Sequence, residues 1–181
     1  MSSPARSGLP LPHLALAIAV MAVWGSNFVV IKTALTHLPP LLLACLRYVF
    51  AFFPLAFFLK RPRVSWGNLA AYGALIGVGQ FGLLFIAMRS DITPGLASLV
   101  VQVQVFFTIG LSMRFSGERV AGYQIIALLL AVAGLAVIAT HANGSATPLG
   151  LALVVGAALS WAGGNIVARS AGPVNMLAYV V

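Results

Sequence analysis

Acid is nearly absent from this sequence. Asp91 and Glu118 are the only carboxylate side chains among 181 residues, against ten Lys and Arg. They stand in separate loops, so no carboxylate pair is available for general acid/base work. Cys45 is the single cysteine. It excludes an internal disulfide and a cysteine-based zinc site, and in its apolar run it is expected to be a small core residue. The three histidines, at 13, 37 and 141, are not clustered. No phosphate loop or nucleophile elbow is present. These absences point away from an enzyme, and no metal or cofactor is expected. Charge of either sign is scarce, at 7% of residues, where a soluble domain carries about 25%.

What is present is apolar length. Hydrophobic residues make up 61% of the chain. At about 20 residues per crossing, six spans are predicted, at 14–36, 41–59, 67–88, 95–113, 121–140 and 149–169. The fold class is therefore all-α, a polytopic bundle in the lipid bilayer. Thr93-Pro94 and Thr147-Pro148 each offer a capping hydroxyl before a proline at the first helical position. Leu38-Pro39-Pro40 breaks the first hairpin, and Pro54 is expected to kink the second span. The stretch 175–181 reads as a seventh helix cut off near its start.

The formal charge of +8 invites a nucleic-acid reading, which needs a solvated basic face. Here the cations fall between or near the ends of the spans. Lys60, Arg61 and Arg63 mark a cytoplasmic loop, and Arg6, Arg114 and Arg119 fall on the same side, against Arg89 outside. The N-terminus is then cytoplasmic, in an inner (plasma) membrane, and nucleic acid is not an expected partner.

One phrase recurs. Trp24-Gly25-Ser26-Asn27-Phe28-Val29-Val30-Ile31-Lys32 is echoed by Trp161-Ala162-Gly163-Gly164-Asn165-Ile166-Val167-Ala168-Arg169. Each copy leads from a Trp, through small residues and an Asn, to a basic residue at the same spacing. The loop charges make the two copies antiparallel across the membrane, as in a transporter built from inverted repeats. On this reading 1–12 is a cytoplasmic tail, 13–141 a first five-helix repeat, and 148–181 the start of a second. The chain then holds the first half of the bundle, about six helices of ten.

Intramembrane polar residues are the candidate functional groups, because they are costly to keep in lipid. Trp24, Asn27 and Lys32 share one face of the first span. They read as a cavity wall with an aromatic platform, an amide and a cation, or as a helix-packing face. Lys32 lies roughly 7 Å from the outer end of its span at about 1.5 Å per residue. Arg47 lies at a similar depth in the second. Both suit a substrate carboxylate or phosphate. Snorkelling to headgroups is the alternative for Lys32. Gln80 suits a substrate contact or an interhelical bond. Gln102 and Gln104 point to different faces, and Gln102 is preferred as nearer mid-span. Glu118 is a helix-start charge or one side of a cytoplasmic gate. Gly73 and Gly77, with Gly79 and Gly82, are expected to serve close helix packing.

The first phrase, Leu38-Pro39-Pro40 and Leu46-Arg47-Tyr48 together resemble the opening of EamA-type members of the drug/metabolite transporter superfamily. The stretch from Pro94 to Ile109, Gly117-Glu118-Arg119, and Ser160-Trp161-Ala162-Gly163-Gly164-Asn165-Ile166 are similar to its O-acetylserine/cysteine exporter branch. The resemblance implies ten helices in two inverted repeats and efflux of small, amino-acid-like metabolites by alternating access. By that resemblance Trp24, Asn27, Arg47, Gln102 and Asn165 are cavity or gate candidates, and Trp161 a gate or structural residue. A permease for other metabolites or lipophilic compounds is the alternative. A non-transporting scaffold, an inactive fragment, or one partner of a dimer are readings of another class.

Overall fold

In the computed structural model, residues 10–117, 121–140 and 144–181 are described. Their regular structure is helical, apart from one isolated antiparallel bridge between Ile92 and Ala146. The helices fall where the apolar runs predict them. They are α1 (Leu11–Ala34), α2 (Pro40–Ala56), α3 (Trp66–Gly73, continuing through Ala74–Gly82 and Leu83–Ser90), and α4 (Pro94–Val100, Val101–Val103 and Gln104–Ser116). Next come α5 (Gly122–Thr140), α6 (Pro148–Ser170) and the short α7 (Met176–Val180). Four of them, α1, α3, α4 and α6, are long and apolar enough to cross a membrane. The second span is shorter than expected. Its helix stops at Ala56, two residues past Pro54, and a turn follows. Pro54 itself lies inside the helix, where it removes the N–H that would pair with the Phe50 carbonyl.

The helix starts follow the Thr-Pro signals in one case of two. The Thr147 Oγ1 accepts from the Gly150 N–H at 3.0 Å, whereas Thr93 holds the N-cap position without a side-chain bond. Two long helices also leave ideal α geometry at mid-length. Ala74–Gly82 in α3 is π-helical, and Val101–Val103 in α4 is a 3-10 turn. The π stretch contains Gly77, Gly79 and Gly82, whose missing side chains ease a widened turn.

The core sits where α3, α4 and α6 meet. Phe85, Met88 and Val154 are its largest fully buried side chains, joined by Ala87, Ala97, Ala157 and Ala158. Lipid tails are as apolar as leucine, so helices in a bilayer associate through close packing of small residues. That is how α6 lies antiparallel along α3. A Cβ on Gly79 would stand 2.6 Å from the Ser160 side chain, one on Gly156 would stand 3.2 Å from Leu83, and one on Gly164 would run into Ile76. The expectation of close packing fails for Gly73, which faces open space. It holds for Gly77, which faces Tyr48 of α2. The contact between α3 and α6 uses Gly79 and the α6 glycines.

The outer helices are different. Ile31 is the one buried residue of α1, Ala44 the one buried residue of α2, and no side chain described in α5 is buried. Their exposed faces carry Phe50, Phe53, Leu129 and Leu130, a surface suited to lipid. Cys45 is also exposed on α2, contrary to its expected place in the core, because α2 buries so little of its circumference.

Polar clasps tie both ends of the α3–α6 pair. At one end the Thr147 hydroxyl donates to Asp91 Oδ1 at 3.0 Å, and the Thr147 N–H to the Asp91 carbonyl at 2.7 Å. At the other, Asn68 Nδ2 donates to the Val167 carbonyl at 3.0 Å and to Ser170 Oγ at 2.9 Å. The buried Tyr179 of α7 donates its hydroxyl to Asn68 Oδ1 at 2.6 Å. Each clasp satisfies groups that lipid would leave unpaired.

Candidate functional site

Arg47 projects from α2 toward α3. Its guanidinium carbon lies 4.6 Å from the centre of the Phe81 ring and 5.6 Å from that of Phe85. Tyr48 meets Phe81 edge-on, with centroids 6.1 Å apart. The two ring faces attract the cation, each by about 0.5–2 kcal/mol. They leave its hydrogen-bonding capacity unused. Nη1 of Arg47 is buried and bonds to nothing among the described residues. An unsatisfied buried donor costs about 1–3 kcal/mol, more when charged, so the position favours any acceptor that arrives.

Arg47 borders a cavity of about 710 Å³. The cavity runs along α2 and α3, past Tyr48, Tyr72 and Phe81, to Lys60, Arg61 and Trp66. At that end Arg61 stacks on Trp66 with its guanidinium carbon 3.8 Å from the ring centre, and its Nη2 donates to the Val64 carbonyl at 3.3 Å. Cations therefore stand at both ends, and among the described residues no Asp or Glu side chain lines the cavity.

The remaining candidates divide. Trp24 and Trp161 meet, with ring centroids 5.7 Å apart and planes at 89°. Asn27 and Asn165 are half-buried. Gln80 is buried, within the π-helical stretch. Gln102 stands apart. It is exposed and lines a second, apolar cavity of about 410 Å³ between α4 and α5, with Phe106 and Tyr123. Depth along the span favoured Gln102 over Gln104, and the 3-10 turn at Val101–Val103 alters the angle between the two side chains and not their depth. Gln104 is half-buried, and its Oε1 accepts from the Thr108 hydroxyl at 3.0 Å. Glu118 lies outside the described residues.

Lys32 has partners that sequence reasoning did not consider. Its ammonium donates to the carbonyls of Met88 at 2.8 Å and Arg89 at 3.0 Å. It thus caps the last turn of α3, where a cation meets the negative end of the helix dipole. Lys32→Met is expected to lower stability by about 1 kcal/mol, read as a reduced thermal midpoint in detergent, with export largely retained. Lost export at unchanged midpoint would return Lys32 to the substrate path. Asn68, Asp91 and Tyr179 were also missed as organising residues. Asn68 was legible as an amide at the edge of an apolar run, whereas its three partners come from distant segments.

Comparison with known proteins follows the same lines. The EamA-like transporter family matches residues 11–140. A "Probable amino-acid metabolite efflux pump" of Salmonella typhimurium is 46% identical over 153 residues, covering 83% of this chain and 51% of that protein. Its namesake in Escherichia coli K12 is 47% identical over the same length, with the same coverage. The uncharacterized inner membrane transporter YedA of Escherichia coli K12 is 29% identical over 175 residues, 93% of this chain and 57% of YedA. The chain spans about half the length of the curated relatives it matches. No solved structure matches.

Proposed function

The chain belongs to the EamA-like transporter family, and from that footing we propose that it is part of an exporter of small amino-acid-like metabolites of the O-acetylserine/cysteine type. The exporter sits in the inner membrane with its N-terminus cytoplasmic. The helices here form the first half of a ten-helix inverted repeat that works by alternating access. The observation that carries the reading is the Arg47 guanidinium, with Nη1 buried and unpaired among the described residues, beside a cavity that no described acidic side chain lines. That is a site for the carboxylate of a metabolite. Amino-acid metabolite efflux is what two relatives are named for, which agrees in substrate class. Lys60 and Arg61 at the far end of the cavity belong to the loop that loop charge places in the cytoplasm, the side from which an exporter loads. Asn27, Gln80 and Asn165 supply hydrogen-bonding groups near mid-span, and Trp24 with Trp161 a wall or gate.

The test is export. Cells expressing the protein, loaded with labelled O-acetylserine or cysteine, are expected to lose label several-fold faster than cells without it. Export confined to uncharged lipophilic compounds would replace this reading with that of a permease for such compounds.

A further inference from the structure

We infer that the Arg47 cavity is built for an aryl carboxylate, a monoanion whose charged group sits on Arg47 and whose flat apolar body lies among Tyr48, Tyr72, Phe81 and Trp66. The inference rests on the proposed transport of carboxylates and goes beyond it, extending the substrate class to larger, aromatic acids. Three observations carry it. The first is size. About 710 Å³ falls in the range that encloses a drug-sized molecule, so a two- or three-carbon acid would leave most of the space to water. The second is the lining, which is mainly aromatic and aliphatic beyond the cations. Phe81 already packs edge-to-face against Tyr48 and Phe85, so its ring is held in place before a ligand arrives. Flat rings recognise other flat rings by offset or edge contact, and a preorganised ring loses little entropy on binding.

The third is charge. Arg47, Lys60 and Arg61 line the cavity and, among the described residues, no Asp or Glu side chain does, so an anion is favoured over a cation. The guanidinium is stacked on Phe81, with Nη1 awaiting an acceptor, and a carboxylate matches a guanidinium in both charge and planarity. Arg61 on Trp66 repeats the cation-on-ring pairing at the far end.

Binding of three probes to the full chain in lipid nanodiscs, by titration calorimetry, decides the matter. Phenylacetate carries both charge and ring, acetate the charge alone, and phenylacetamide the ring alone. Phenylacetate is expected to bind at least about tenfold more tightly than either of the others: it buries a ring that acetate lacks, worth several CH₂ equivalents of apolar surface, and it brings to Arg47 the charge that phenylacetamide lacks. Tyr72→Leu is expected to weaken phenylacetate and leave acetate unchanged. Arg47→Gln is expected to equalise phenylacetate and phenylacetamide. If acetate binds as well as phenylacetate, the aromatic body is not read and the inference fails. Equal binding of phenylacetamide, or no binding of phenylacetate, overturns it as well. Should Arg47→Gln not fold, the three probes on the unaltered chain still give the answer. Export of O-acetylserine without phenylacetate binding sinks this inference alone. Phenylacetate binding without amino-acid export sinks the broader reading instead.

Discussion

Replacing Arg47 with alanine is expected to abolish export of carboxylate substrates while the protein stays in the membrane at normal abundance. The two halves of that expectation have separate causes. A hydrogen bond to a charged group is worth about 1.5–3 kcal/mol, which is roughly 10- to 150-fold in affinity. Stability should not suffer to match. Nη1 is buried without a partner, so its removal relieves a desolvation cost rather than breaking a bond. What is lost is the stacking on Phe81 and Phe85. Arg47→Lys makes the informative companion, because it keeps the charge and gives up the planar fork. It is expected to retain a fraction of the export that alanine loses. Efflux assays normalised to membrane protein test the series, and normal efflux in Arg47→Ala would end the role assigned here.

The second large effect is structural. Gly150→Ala places a methyl group against the Asp91 carbonyl, with the Asp91 side chain at 2.8 Å. That obstacle is backbone, so no side-chain rotation relieves it. The same few atoms form the clasp between α3 and α6. The Asp91 carbonyl accepts from the Thr147 N–H, Asp91 Oδ1 accepts from the Thr147 hydroxyl, and Thr147 Oγ1 caps Gly150. Overpacking typically costs about 1–3 kcal/mol, and here it also strains a helix cap, itself worth about 1 kcal/mol. A clear fall in the detergent thermal midpoint is expected. Gly25→Ala is the control. Nothing lies within 4 Å of a Cβ there, and alanine is the better helix former, so its midpoint should hold or rise. Equal midpoints for the two variants would show that the clasp bears no weight.

The helices were readable because runs of about 20 apolar residues admit few alternatives. Each observed helix lies within a few residues of its predicted span, α2 included. Partner choice was harder to read. Gly73-x-x-x-Gly77 has the spacing of a packing motif, yet α6 uses Gly79 instead, because spacing gives a face of the helix and not its neighbour. The π stretch of α3 and the 3-10 turn of α4 are small departures from α phase that depend on packing. The turn in α4 shifts the angle between Gln102 and Gln104 away from what counting residues at α-helical pitch gives. Lys32 shows the limit most plainly. Sequence marks a cation at a certain depth, whereas its partners, the Met88 and Arg89 carbonyls, belong to another helix end. Arg47 was easier. An arginine that deep in an apolar run must face the bundle or pay heavily, and only its aromatic bed on Phe81 and Phe85 was out of view.

Trp24 and Trp161 hold the same place in the two copies of the repeated phrase, and their rings touch at right angles. A perpendicular pair is lopsided, since one ring offers its rim and the other its π cloud. α1 and α6 therefore meet through unlike surfaces although the two positions carry the same residue type. Exchanging rim and cloud would keep the composition and the stacking strength, so which ring presents its rim is set by the packing around α1 and α6 and not by the pair itself.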